Sequence, residues 1–186
     1  MGKLALRGLA LAVVIGLLGV GSYAIAGGGS DKFNGSPLTG YEENLDLSTP
    51  GSGSFEARLS KDGTTLAYEL TFGELEGVVT QSHVHFGKTA LNGGISFWLC
   101  ETATNPSPSD TTPACPSPGG TVRGEVTAAE VIGPATHGIA PGEFAEILAA
   151  MRAGHAYANV HTTTRPGGEI RAQINNGDDD NGENDD

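Results

Sequence analysis

Ser82-His83-Val84-His85-Phe86-Gly87 and, further along, Ala156-Tyr157-Ala158-Asn159-Val160-His161-Thr162 are the stretches whose alternation decides the fold. Side chains leave opposite faces of an extended strand in turn, so His83 and His85 share one face and Val84 and Phe86 the other. The same parity puts Tyr157, Asn159 and His161 on one face, with Ala156, Ala158 and Val160 opposite. Two such strands, each polar on one side and apolar on the other, bring three imidazoles together if they pair.

Strand signals continue on both sides of these stretches. Phe33 to Tyr41 contains Leu38-Thr39-Gly40, and in Ser54 to Leu59 the residues Phe55, Ala57 and Leu59 alternate with Glu56 and Arg58. Asp62-Gly63 then separates that run from Thr65 to Phe72, and two alternating runs around Asp-Gly predict a hairpin. Asn92-Gly93-Gly94 turns the chain into Ile95 to Leu99, and a Pro/Ser/Thr-rich loop leads to a further strand over Thr121 to Val126. Thr127-Ala128-Ala129-Glu130 has the form of a capping box, with room only for a short turn before Gly133-Pro134. One helix is predicted over 141–153. Phe144, Ile147, Leu148 and Met151 form its apolar stripe, Pro141 suits its first turn and Gly154 its end. Glu169 to Ile174 closes the pattern, with Ile170, Ala172 and Ile174 inward. About eight short strands and one late helix predict an all-β, antiparallel β-sandwich.

The ends of the chain read differently. Lys3 and Arg7, the apolar run Leu9 to Val20 and the small-x-small stretch Ala24-Ile25-Ala26 together predict a secretory signal cut after Ala26. An apolar run of this length is short for a membrane span, and an uncleaved N-terminal anchor is the rival reading. The expected organisation is signal peptide 1–26, flexible lead 27–32, folded domain 33–174 and acidic disordered tail 175–186. Six acidic side chains crowd Asp178 to Asp186, too polar to pack. The formal net charge is −12, and it grows more negative once Lys3 and Arg7 leave, which argues against nucleic acid as a partner. Cys100 and Cys115 are the only cysteines, and an even pair in an exported chain predicts a disulfide, the rival being two free thiols that bind metal.

Taken in order, Leu38-Thr39-Gly40, His83-Val84-His85-Phe86-Gly87, Asn92-Gly93-Gly94, Arg123-Gly124-Glu125-Val126, Tyr157-Ala158-Asn159-Val160-His161-Thr162 and Pro166-Gly167-Gly168-Glu169-Ile170-Arg171 resemble the CHRD domain. That module is repeated in chordin and found singly in secreted bacterial proteins. The resemblance spans about Phe33 to Ile174 and implies an immunoglobulin-like barrel or sandwich outside the cell, in the periplasm or beyond. It names no activity. A fainter likeness links His83-Val84-His85, followed by Gly87, and Val160-His161 to the copper-bearing strands of copper-zinc superoxide dismutase. No stretch here matches that family's bridging histidine or zinc loop.

The chemistry expected follows from these residues. Three neutral imidazoles at His83, His85 and His161 suit copper or zinc, with His137 or His155 as a fourth ligand. Asn159 and Thr162 are expected to satisfy buried backbone groups. Glu169 and Arg171 are expected to pair with Arg123 or Glu125 across strands. Trp98 is read either as a contact surface for a protein or polymer partner or as packing beneath the helix. No phosphate loop, nucleophile elbow or helical zinc motif appears. The expected function is therefore a secreted, non-catalytic binding or structural module that carries a transition metal, with a superoxide dismutase-like copper enzyme as the alternative.

Overall fold

The structure, a computed structural model, describes residues 32–177. The expected signal peptide, and the acidic stretch from Asp178 onward, lie outside the described residues. Eight strands form one sheet: β1 Lys32–Thr39, β2 Ser52–Leu59, β3 Leu66–Gly73, β4 Val79–Phe86, β5 Gly94–Cys100, β6 Gly120–Val126, β7 Ala156–Thr162 and β8 Ile170–Asn176. Their order is β5-β4-β7-β8-β1-β2-β3-β6, and every pairing between neighbours is antiparallel.

The sheet curls into a nearly closed barrel or sandwich, because the apolar side of each alternating strand has to be removed from water. Phe55, Leu66, Leu70, Val84, Phe97, Val160, Ile170 and Ile174 are all shut off from solvent in one cluster. At the seam, the Tyr68 hydroxyl on β3 donates to the Leu99 carbonyl on β5 at 2.7 Å. The outer flank of β5 is covered as well: the Ile132 amide donates to Ser96 O at 2.8 Å.

The predicted hairpin joins β2 to β3 with Leu59 opposite Leu66. Its turn is held by Asp62, whose carboxylate accepts from Ser60 Oγ, Thr64 Oγ1 and Thr64 N. The capping box also forms, with Thr127 and Glu130 bonding reciprocally around a single 3-10 turn.

The helix, α1, runs from Phe144 to Arg152 and so starts later than the predicted Pro141. Gly142 at φ +86° has left the helical region, and the Glu143 carboxylate is occupied with the Ala140 amide. A helix cannot run back through that left-handed residue. Its far end is as predicted: Gly154 N donates to Met151 O and His155 N to Ala150 O, the paired bonds of a Schellman stop. Phe144, Ile147, Leu148 and Met151 are buried, and α1 packs against β7 and β8. β8 extends through Asn175 and Asn176, which the sequence pattern placed in the tail. Asn176 Nδ2 donates to Arg152 O, so the helix end gives that last polar step of the strand a partner.

Cys100 and Cys115 are joined across a sequence separation of 15, which removes the free-thiol reading. Cys100 is fully buried at the end of β5. In the chain-entropy picture a loop of this size contributes roughly 3 kcal/mol. Replacing both cysteines by serine is expected to lower the unfolding free energy by about that amount in urea titrations. A loss below roughly 1 kcal/mol would show that the loop is already confined by its backbone bonds, Cys115 N to Glu101 O and Glu101 N to Pro113 O.

Candidate metal centre

β4 and β7 are neighbours, with His83 opposite Asn159, His85 opposite Tyr157 and Gln81 opposite His161. The core takes Val84, Ala158 and Val160, so the alternation sends His83, His85 and His161 to the other face of the sheet. That face is not bare. Trp98 from β5, Glu43 from the loop after β1, Gly93 from the β4–β5 loop and Pro166 from the β7–β8 loop roof it over. The result is a second buried layer made of polar groups: His83 is 0 % exposed, His85 8 % and His161 6 %.

Each ring offers one nitrogen, and the three lie within 4.8 Å of one another. The ring centroids are 5.4 Å apart for His83 and His85, 5.0 Å for His83 and His161, and 6.0 Å for His85 and His161. Hydrogen bonds fix two tautomers, because a carbonyl can only accept. His85 Nδ1–H donates to Gly93 O at 3.0 Å and His161 Nδ1–H to Pro166 O at 2.9 Å. Both Nε2 atoms therefore carry lone pairs. His161 Nε2 faces His83 Nδ1 at 3.3 Å, while His83 Nε2 and His85 Nε2 are buried with no hydrogen-bond partner. Buried polar atoms are rarely left this way, and imidazoles anchored through one nitrogen by a carbonyl are the arrangement found around bound metals. The residues present fit a cation.

Burial pushes the His83 imidazole down to about 2, with His161 and His85 adding to the shift. Burial likewise lowers His85 to about 4, partly opposed by its bond to Gly93, and lowers His161, opposed by its bond to Pro166. All three are neutral at pH 7, the state in which imidazole ligates.

The surrounding side chains hold this geometry. Tyr157 stacks on His85 with ring planes 3° apart and centroids at 4.8 Å, and its hydroxyl accepts from Gly93 N. The Arg171 guanidinium lies 4.1 Å from the Tyr157 ring centre and donates to Leu91 O. Asn159 Nδ2 donates to Glu43 Oε1 at 2.6 Å and to Ile170 O at 3.2 Å. Burial raises the Glu43 carboxyl to about 7 against the lowering pull of Arg171 and Asn159. Gly168, at φ +128°, closes the layer: a Cβ there would sit 2.6 Å from Asn159 Nδ2 and 2.7 Å from Glu43 Oε1.

Several expected roles change. Glu169 and Arg171 do not meet Arg123 or Glu125. Arg123 pairs with Glu69 at 2.7 Å on the neighbouring β3, and β8 lies on the other side of β1 and β2 from that pair. Glu169 is instead a buried hub, accepting from Thr49 Oγ1, Glu76 N and Thr162 Oγ1 at 2.8, 2.6 and 2.7 Å. Thr162 Oγ1 also accepts the Arg165 amide. His137 and His155 are exposed and line a cleft with Lys88 and Leu91, and neither joins the cluster of His83, His85 and His161. Trp98 is half-buried, its ring edge-on to His83 at 4.3 Å, so neither an open contact face nor packing under α1 describes it. Glu43 escaped the sequence reading, since nothing in its spacing sets it apart from Glu42.

Among the described residues no helix is long and apolar enough to cross a membrane. A family model described as CHRD domain matches residues 35–174. No curated protein and no solved structure matches the chain.

Proposed function

Since the chain belongs to the CHRD domain family, we propose that it is an exported, non-catalytic binding module whose second buried layer holds one transition-metal ion on His83, His85 and His161. The observation that carries this reading is the buried cluster of three imidazole nitrogens within 4.8 Å of one another, with His83 Nε2 and His85 Nε2 left without a hydrogen-bond partner. Copper and zinc are the metals such a donor set takes. What supports a static rather than a catalytic role is burial. A catalytic metal keeps a position open to substrate, and these rings lie under Trp98, Tyr157 and three loops.

Elemental analysis after native purification, or after loading metal-free protein with zinc or copper, tests the site. One equivalent per chain is expected, lost in His83→Ala and kept in His137→Ala and His155→Ala. Trp98, the only tryptophan, reports from beside His83, so its emission is expected to change on loading. Metal content unaltered by His83→Ala would overturn the assignment. Copper-loaded protein that dismutates superoxide above the level of free copper would overturn the non-catalytic part.

A further inference from the structure

We infer that the ion this site is built for is monovalent copper, an inference that rests on the metal reading above. The clustered ligand atoms are three imidazole nitrogens, with no carboxylate or thiolate among them. The donor set therefore cancels none of the cation's charge. The charged groups sharing the layer do not make up for this. The Glu43 carboxylate is engaged with the Asn159 amide, and the Arg171 guanidinium, 2 % exposed, adds a positive charge of its own on the Tyr157 ring. Arg171 Nη2 is itself buried without a partner.

The cost of moving an ion out of water grows with the square of its charge, so a divalent ion meets about four times the penalty of a monovalent one in the same cavity. At 0 to 8 % exposure of the three ligands, water supplies little relief. Coordination number points the same way. Structural zinc takes four ligands in a tetrahedron, and divalent copper takes a tetragonal set of nitrogen and oxygen donors. Three imidazoles fall one donor short of either set, and neither His137 nor His155 belongs to the cluster to supply a fourth. Monovalent copper, with a filled d shell and no demand for a fourth donor, is satisfied by three neutral nitrogens. Aromatic walls at Trp98 and Tyr157 suit a low-charge guest as well.

An anaerobic competition on the unmodified, metal-free protein ranks the ions. Cuprous ion is offered as its bicinchoninate complex, whose violet colour fades as the protein takes the metal. Zinc(II) and copper(II) are offered against colorimetric chelators in parallel. Uptake of one cuprous ion per chain is expected, with a dissociation constant at least about a hundredfold below that for zinc. The same uptake is expected to vanish in His161→Ala. Zinc or copper(II) held as tightly as cuprous ion, or cuprous uptake that survives in His161→Ala, would overturn the inference about the ion. Failure of all three ions to bind would instead bring down the metal reading beneath it. Because the ranking is read on the unmodified chain, it does not depend on how well the variant folds.

Discussion

Acidification from pH 7 to pH 4 is expected to cost the metal-free protein on the order of 3 kcal/mol of stability. In the unfolded chain histidine takes up its proton near 6.5, whereas the folded state holds His85 down to about 4 and His83 down to about 2. Between those limits the unfolded state binds more protons, so stability is complete above pH 6.5 and falls as the pH drops toward the folded values. Each of the two rings contributes a loss on the order of 3 kcal/mol by pH 4. Glu43 works in the opposite sense. Its folded value, about 7, lies above the unfolded 4.5, so protonation favours the folded state across that interval and offsets roughly one ring. His161, also lowered, adds to the loss. Urea titrations at one-unit steps from pH 4 to pH 8 are expected to peak near 6.5 to 7, with a slight decline above as Glu43 ionises. A flat profile between pH 5 and pH 7 would refute this account of the buried layer. His85→Gln is expected to shallow the acid limb.

The second large effect lies at Glu169. Replacing it by alanine leaves the Glu76 amide and the Thr49 and Thr162 hydroxyls without their acceptor, at a residue with 0 % exposure. Losing one member of a buried network exposes the full desolvation penalty of the others, here roughly 3 to 5 kcal/mol. Glu169→Gln keeps one acceptor oxygen and is expected to lose about half as much. Glu69→Ala is the contrast: its pair with Arg123 is 2.7 Å long but solvent-exposed, and such pairs are worth at most about 1 kcal/mol. If guanidinium titrations gave Glu169→Ala and Glu69→Ala equal losses, Glu169 would not be the tie between the loops around Thr49, Glu76 and Thr162.

The difference between those two glutamates also shows where sequence reading stops. Alternation along one strand is local, and it placed His83 with His85 and Tyr157 with Asn159 and His161 on the correct faces. Periodicity likewise found the buried face of α1, and Asp62-Gly63 the β2–β3 turn. Which strands become neighbours is decided by how the whole sheet curls, so the partners of Glu169 and Arg171 and the place of Glu43 do not follow from local spacing. Helix entry at Phe144 depends on the φ of a single glycine, and the last two residues of β8 on their pairing with Phe33 and Asn34 of β1. None of these leaves a mark in hydrophobic spacing.

The segment lying along β5 has one more effect. An outermost strand normally offers a row of unclaimed amides and carbonyls that another polypeptide copies onto, the first step of strand-by-strand aggregation. With Ser96 O already taken by Ile132 N, this flank offers no ready template at that position. Chain-to-chain growth there would first have to peel the covering segment away, so the protein guards the β5 side of its sheet with its own backbone.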